Sequence, residues 1–102
     1  MSKRKFEISF DEERINQFNE YTSEALYDTL DKIMSYHHLT KTAKGVYEGD
    51  NANDFIGLYF YLYDLNWFMN YVGKWYSYHD GGMEDVIKSV NIKERQIANE
   101  FR

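Results

Sequence analysis

The run Phe6-Glu7-Ile8-Ser9-Phe10-Asp11 alternates apolar and polar residues and ends on an acid. Its period of two predicts a half-buried strand with Phe6, Ile8 and Phe10 on one face and Glu7, Ser9 and Asp11 on the other. Such a strand needs an apolar layer against one face, so it commits the chain to a sheet covered by something else. An aspartate at the carboxyl end of such a strand is a position where nucleases and phosphate-handling domains place a working carboxylate. It is also a position where an acid simply caps the next segment.

The rest of the chain supplies the covering layer. After a polar stretch from Asp11 to Tyr21, readable as a loop or a short helical turn, Ala25, Leu26, Leu30, Ile33, Met34 and His37 recur at spacings of three and four. That pattern predicts an amphipathic helix of roughly four turns, with Thr22 or Ser23 as its cap. Leu39 to Thr42 and Gly45 to Gly49 read as a hairpin turning near Ala43-Lys44. The turn-rich Gly49 to Asn53 precedes a second helical pattern, Ile56, Tyr59, Phe60, Tyr63, Trp67 and Tyr71, expected to run to Gly73. Lys74 to His79 has strong β propensity and stops at Asp80-Gly81-Gly82. Val86, Ile87, Val90, Ile97 and Phe101 predict a C-terminal helix over about residues 83–101.

This order, βαββαβ plus a helix, fits an α+β ferredoxin-like antiparallel sheet in the strand order 4-1-3-2. A chain of 102 residues that is 43% hydrophobic suits one domain, with a core at about residues 5–80. In that topology the end of the central first strand lies beside the starts of the third and fourth strands. Asp11 is therefore expected near Lys44 and Lys74, with Ser9 on the same face, as a carboxylate beside phosphate-holding ammonium groups.

Composition narrows the chemistry. The chain has no cysteine, which removes disulfides and thiolate ligands, and no proline. Its net charge of -5 speaks against tight nonspecific nucleic-acid binding. No apolar run is long enough to span a membrane, so a cytoplasmic protein with no membrane partner is expected. His37-His38 reads as a helix end, and His79 is uncommitted. Asp50 to Asp54 lacks the central glycine and closing glutamate of a calcium loop, so it reads as a cap. The rings from Tyr59 to Tyr78 are expected in the core or at a dimer interface.

Several short motifs, in this order, resemble the virulence-associated protein D (VapD) family of RNA-cleaving toxins. They are Phe10-Asp11 at the end of the strand, Tyr27-Asp28-Thr29-Leu30 in the first helix, Val46-Tyr47 in the hairpin and Trp67-Phe68 closing the second helix. The aromatic strand Trp75 to His79 and the tail Asp85 to Val90 follow, so the resemblance covers about residues 5–90. It implies a ferredoxin-like homodimer that cleaves RNA, with Asp11 catalytic at a dimeric site and a partner antitoxin protein. The metal requirement stays open, with a divalent cation such as Mg2+ as the candidate cofactor. The chain departs from the family in the hairpin, at Lys41 and Ala43-Lys44-Gly45, and in a fourth strand without arginines, which removes bidentate phosphate clamps. The competing expectation is a noncatalytic protein-interaction module on the same fold, an acidic inhibitor or a phage- or defence-related binding protein.

Overall fold

The computed structural model describes residues 3–90. Five antiparallel strands form one sheet: β1 (Arg4–Phe10), β2 (Thr40–Ala43), β3 (Val46–Gly49), β4 (Val72–His79) and β5 (Gly82–Asp85), in the order β2-β3-β1-β4-β5. Four helices fill the connections: α1 (Glu12–Phe18), α2 (Ser23–Tyr36), α3 (Ala52–Asp64) and α4 (Asn66–Tyr71). The first four strands have the ferredoxin-like order, and β5 adds an outer strand beside β4.

Alternation along β1 sets the layers. Phe6, Ile8 and Phe10 are all buried, on the face that the helices cover. Phe6 meets Phe55 of α3 edge-on at 4.9 Å, and Phe10 meets Tyr27 of α2 at 4.9 Å. Trp75 of β4, fully buried, receives Phe68 of α4 at 5.2 Å and Phe6 at 5.8 Å. Edge-to-face rings at these separations add attraction beyond the area they bury. The other face of the sheet carries Lys5, Glu7 and Ser9 opposite Tyr78, Tyr76 and Lys74.

Several boundaries differ from those the sequence predicts. Of the two readings open for the stretch after β1, loop or short helical turn, the helical one holds over Glu12–Phe18, because Asp11 caps its start, Ile15 buries against the core and Asn19 closes it in the left-handed conformation, φ 52°. At α2 the cap is Thr22, whose hydroxyl accepts from the Ala25 amide at 3.1 Å, whereas Ser23 donates to Glu12 at 2.7 Å. The second long helix is two helices. Leu65 takes an extended conformation, ψ 111°, and the buried positions change phase across it: Phe55, Leu58 and Leu62 before the break and Phe68 and Tyr71 after it reach the same core, whereas Ile56, Phe60 and Tyr63 of the expected stripe are exposed. The hairpin turns at Lys44-Gly45, one residue later than expected, and β4 begins at Val72 instead of after Gly73. Met83 to Asp85, expected to open the last helix, belong to β5, where Met83 pairs with Tyr78. Residues 86–90 are helical, with Val86 and Val90 buried in the common core; the remainder of the expected helix lies outside the described residues.

Candidate functional site

Asp11 lies where β1 passes into α1. Its amide donates to the Tyr71 carbonyl at 2.7 Å, which fixes the end of β1 against the α4-β4 junction. A Cβ at Gly73 would make ordinary van der Waals contact with Asp11, 3.4 to 3.5 Å from its backbone and Cβ, so Gly73 lies directly beside it. The side chain turns forward over the first turn of α1. Oδ1 accepts from the amides of Glu13 at 3.1 Å and Arg14 at 3.3 Å, the geometry of a helix N-cap.

The cation that meets this carboxylate is Arg14, with Nε 3.7 Å from Oδ2. Arg14 also donates through Nη1 to the Asn70 carbonyl at 3.0 Å. A guanidinium has five N–H donors in a plane, so donors remain for a third party. Arg14, Gln17, Phe18, Glu20, Asn70 and Tyr71 line an open cleft of about 380 Å3 next to Asp11. At its wall the phenol of Tyr71 is pushed above its ordinary pKa by burial and by the neighbouring Glu20 carboxylate.

The other expected residues gather around the same end of β1 in different ways. Ser9 pairs with Lys74 in the β1-β4 ladder, on the face away from the helices. Lys44 sits at the hairpin tip, and Gly45 beside it accepts the Ile8 amide at 2.8 Å. This tip is pressed so closely on β1 that a Cβ on Gly45, φ +75°, would fall 2.0 Å from the Ile8 carbonyl oxygen. The Lys44 ammonium, however, lies over the Tyr27 ring at 4.5 Å, and the Tyr27 hydroxyl in turn accepts the Phe10 amide at 3.1 Å. The topology thus delivers both lysines to the two flanks of β1, while the direct partner of Asp11 is an arginine that sequence reasoning passed over. Its trace was the spacing Asp11-x-x-Arg14, which puts both groups together as soon as residues 12–18 are read as a capped helix.

The remaining polar candidates are structural. Asn51 caps α3 through the Asn53 amide at 2.9 Å, so the Asp50 to Asp54 cluster is a cap. His37 closes α2 and His38, φ 70°, stands 3.8 Å from Asp54. Among the described residues no three His, Asp or Glu side chains converge to hold a metal ion. No helix among them is long and apolar enough to cross a membrane. The rings between Tyr59 and Tyr78 divide. Phe68, Tyr71 and Trp75 are buried in the core, whereas Phe60, Tyr61 and Tyr63 are exposed on the chain's surface.

Fold and site together define an α+β protein with a ferredoxin-like antiparallel sheet and a capped carboxylate at the end of its central strand. Compared with known protein families the chain matches none of the family models, and no curated protein matches it.

Proposed function

We propose that the chain is an RNA-cleaving toxin of the VapD type, acting in the cytoplasm as a homodimer through Asp11 and held in check by an antitoxin protein. The observation that carries this reading is the half-exposed Asp11 carboxylate at the end of the central strand, with the Arg14 guanidinium 3.7 Å away. In this mechanism the carboxylate takes the proton of an RNA 2'-hydroxyl as the freed oxygen attacks the adjacent phosphorus. Arg14 faces the charge that develops on the phosphoryl oxygens, and the 5'-oxygen leaves with a proton from water. Arg14 takes the part that the arginines missing from the fourth strand would have played. Lys74, beside Ser9, and Lys44 steer the strand toward this end of the sheet. A guanidinium beside the carboxylate suits a phosphate rather than a divalent cation such as Mg2+, so no step is routed through a metal.

One observation favours the noncatalytic reading: both carboxylate oxygens of Asp11 are engaged, one by two amides and one by Arg14. The two readings separate on a variant that keeps the cap and loses the base. Asp11→Asn still accepts the helix amides, whereas Asp11→Ala would cost about 1 kcal/mol of stability by itself. With end-labelled RNA, Asp11→Asn should lose at least ~100-fold in cleavage rate at an almost unchanged melting temperature. Cleavage at the wild-type rate by this variant would sink the role of Asp11. A wild type that is folded and cuts nothing would leave the interaction module as the reading.

A further inference from the structure

The sheet face that packs against the helices stops being apolar at one end. Two residues back from Phe6 on β1 stands Arg4, and beyond Trp75 on β4 stand Ser77 and His79, at intervals of two. Side chains two apart on a strand share a face, and so do residues paired across a ladder. Ser77 pairs with Phe6 on one side and with Glu84 of β5 on the other. The face that buries Phe6 and Trp75 therefore continues outward as Arg4, Ser77, His79 and Glu84. Between this polar row and the first turns of α3 runs an open cleft of about 290 Å3, walled by Phe55, Tyr59 and Phe60.

The two ends of the cleft differ in charge. At one end the Arg4 guanidinium is half-buried, and its ion pair with the exposed Asp80 is long, 3.8 Å. A guanidinium has five donors, so some remain for a further partner. His79 follows at the next position of the ladder, and α3 begins beside them at Ala52 with its positive pole. An anion suits that end. At the other end stands Glu84, beside Tyr59, whose phenol is pushed above its ordinary pKa by burial and by the Glu84 carboxylate. A half-buried carboxylate is an acceptor for two parallel N–H donors. In between, Tyr59 and Phe60 meet edge-on at 5.6 Å and offer ring surface on which a flat base stacks.

The spacing of these features selects the ligand. Arg4 and Glu84 lie on strands two apart in the order β1-β4-β5, so their backbones are separated by roughly 10 Å or more. The ligand needs its anion and its donors at opposite ends of a flat ring. An aromatic amino acid fails, because its carboxylate and amine sit on one carbon. A guanine nucleotide qualifies: the base presents N1–H and N2–H side by side on one edge, and the phosphate lies beyond the ribose. Adenine would set the lone pair of its N1 against the carboxylate.

We infer that the cleft between α3 and the outer end of the sheet binds guanosine 5'-monophosphate, with its phosphate on Arg4 and His79, its base on Tyr59 and Phe60, and its donor edge on Glu84. This does not rest on the RNA-cleaving reading, since Arg4 and Asp11 stand at opposite ends of β1.

Isothermal titration of the full chain with guanosine 5'-monophosphate, adenosine 5'-monophosphate, guanosine and inorganic phosphate tests it. The guanine nucleotide should bind with a dissociation constant below about 1 mM, and each of the other three about tenfold more weakly. Arg4→Gln should lower its affinity about tenfold, to that of guanosine. Glu84→Gln should weaken it and bring the two nucleotides toward equal affinity. Phe60→Ala, at an exposed position, should weaken both nucleotides about tenfold. All three variants should keep the far-UV spectrum of the wild type, and Asp11→Asn should keep its affinity. A folded wild type that does not bind the guanine nucleotide overturns the inference. Equal affinity for the adenine nucleotide or for inorganic phosphate does so too, as does binding unchanged by Arg4→Gln or by Glu84→Gln. Loss of binding in Asp11→Asn would also overturn it, because the nucleotide would then sit at the other end of β1.

Discussion

α2 and α3 press on the same sheet with the same kind of residue, yet their outer surfaces differ. α2 buries Leu26, Leu30 and Met34 and turns Glu24, Asp28, Thr29 and Lys32 to solvent. α3 buries Phe55, Leu58 and Leu62 and turns Ile56, Phe60 and Tyr61 outward. Since both inner stripes satisfy the sheet equally, the fold does not require the apolar outer stripe of α3. The ways the two helices are fixed differ as well. α2 is tied to the hairpin by Asp31, which accepts from Tyr47 at 2.6 Å and Lys41 at 2.9 Å, while α3 is held chiefly by ring contacts such as Phe6 with Phe55 and Tyr59 with Trp75.

The two inner stripes should carry comparable stability. Leu30→Ala in α2 and Leu58→Ala in α3, both at fully buried positions, should each cost about 2–5 kcal/mol in urea unfolding. A much smaller loss for Leu58 would mean that α3 is not part of the cooperative core. Next comes the polar tie of α2. Tyr47→Phe removes the hydroxyl bound to Asp31 and should cost about 1–2 kcal/mol, with no corresponding loss for Tyr61→Phe in α3.

The same contrast should show at high pH. Burial pushes the phenols of Tyr47, Tyr59 and Tyr71 above the ordinary value of 10.0, with the carboxylates of Asp31, Glu84 and Glu20 adding to it in turn. Below pH 10 these phenols are neutral in both the folded and the unfolded chain and add no pH dependence. As pH rises past 10 the unfolded chain loses these protons and the folded one keeps them, so stability should fall. Tyr47→Phe should flatten this decline, measured as the urea midpoint from pH 8 to 11.5. The smallest effect should be a gain. Gly57→Ala places a methyl in open space on α3 and should raise the stability of the monomeric chain, read by urea unfolding at low concentration, by about 0.5–1 kcal/mol.

The architecture was legible in the sequence because the apolar patterning of β1, α2, β3 and β4 agrees with their strand and helix periods. The strand order followed from connection rules alone. The break at Leu65 was not legible, because Ile56, Tyr59, Phe60, Tyr63, Trp67 and Tyr71 keep helical spacing straight across it, although before the break it is Phe55, Leu58 and Leu62 that take the core. β5 was missed for a related reason: Met83, Glu84 and Asp85 have poor β propensity, and they are strand because β4 offers them an unpaired edge. At the site, topology brought Ser9, Lys74 and Lys44 to the end of β1. The actual partner, Arg14, depended on a local cap, and without treating residues 12–18 as a helix its distance to Asp11 could not be read.

The pairing of β1 with β4 has a bearing on how the chain is made. Lys5 faces Tyr78, a partner 73 residues later in the chain, while its other neighbour, Glu48, is translated far sooner. During synthesis β1 therefore spends most of its existence with one edge unpaired, and with Phe6, Ile8 and Phe10 waiting for Trp75. An unpaired apolar edge is a template for other chains. Ribosomes stalled before residue 72 should release fragments that aggregate, and the interval before β4 emerges is when this protein most needs a chaperone.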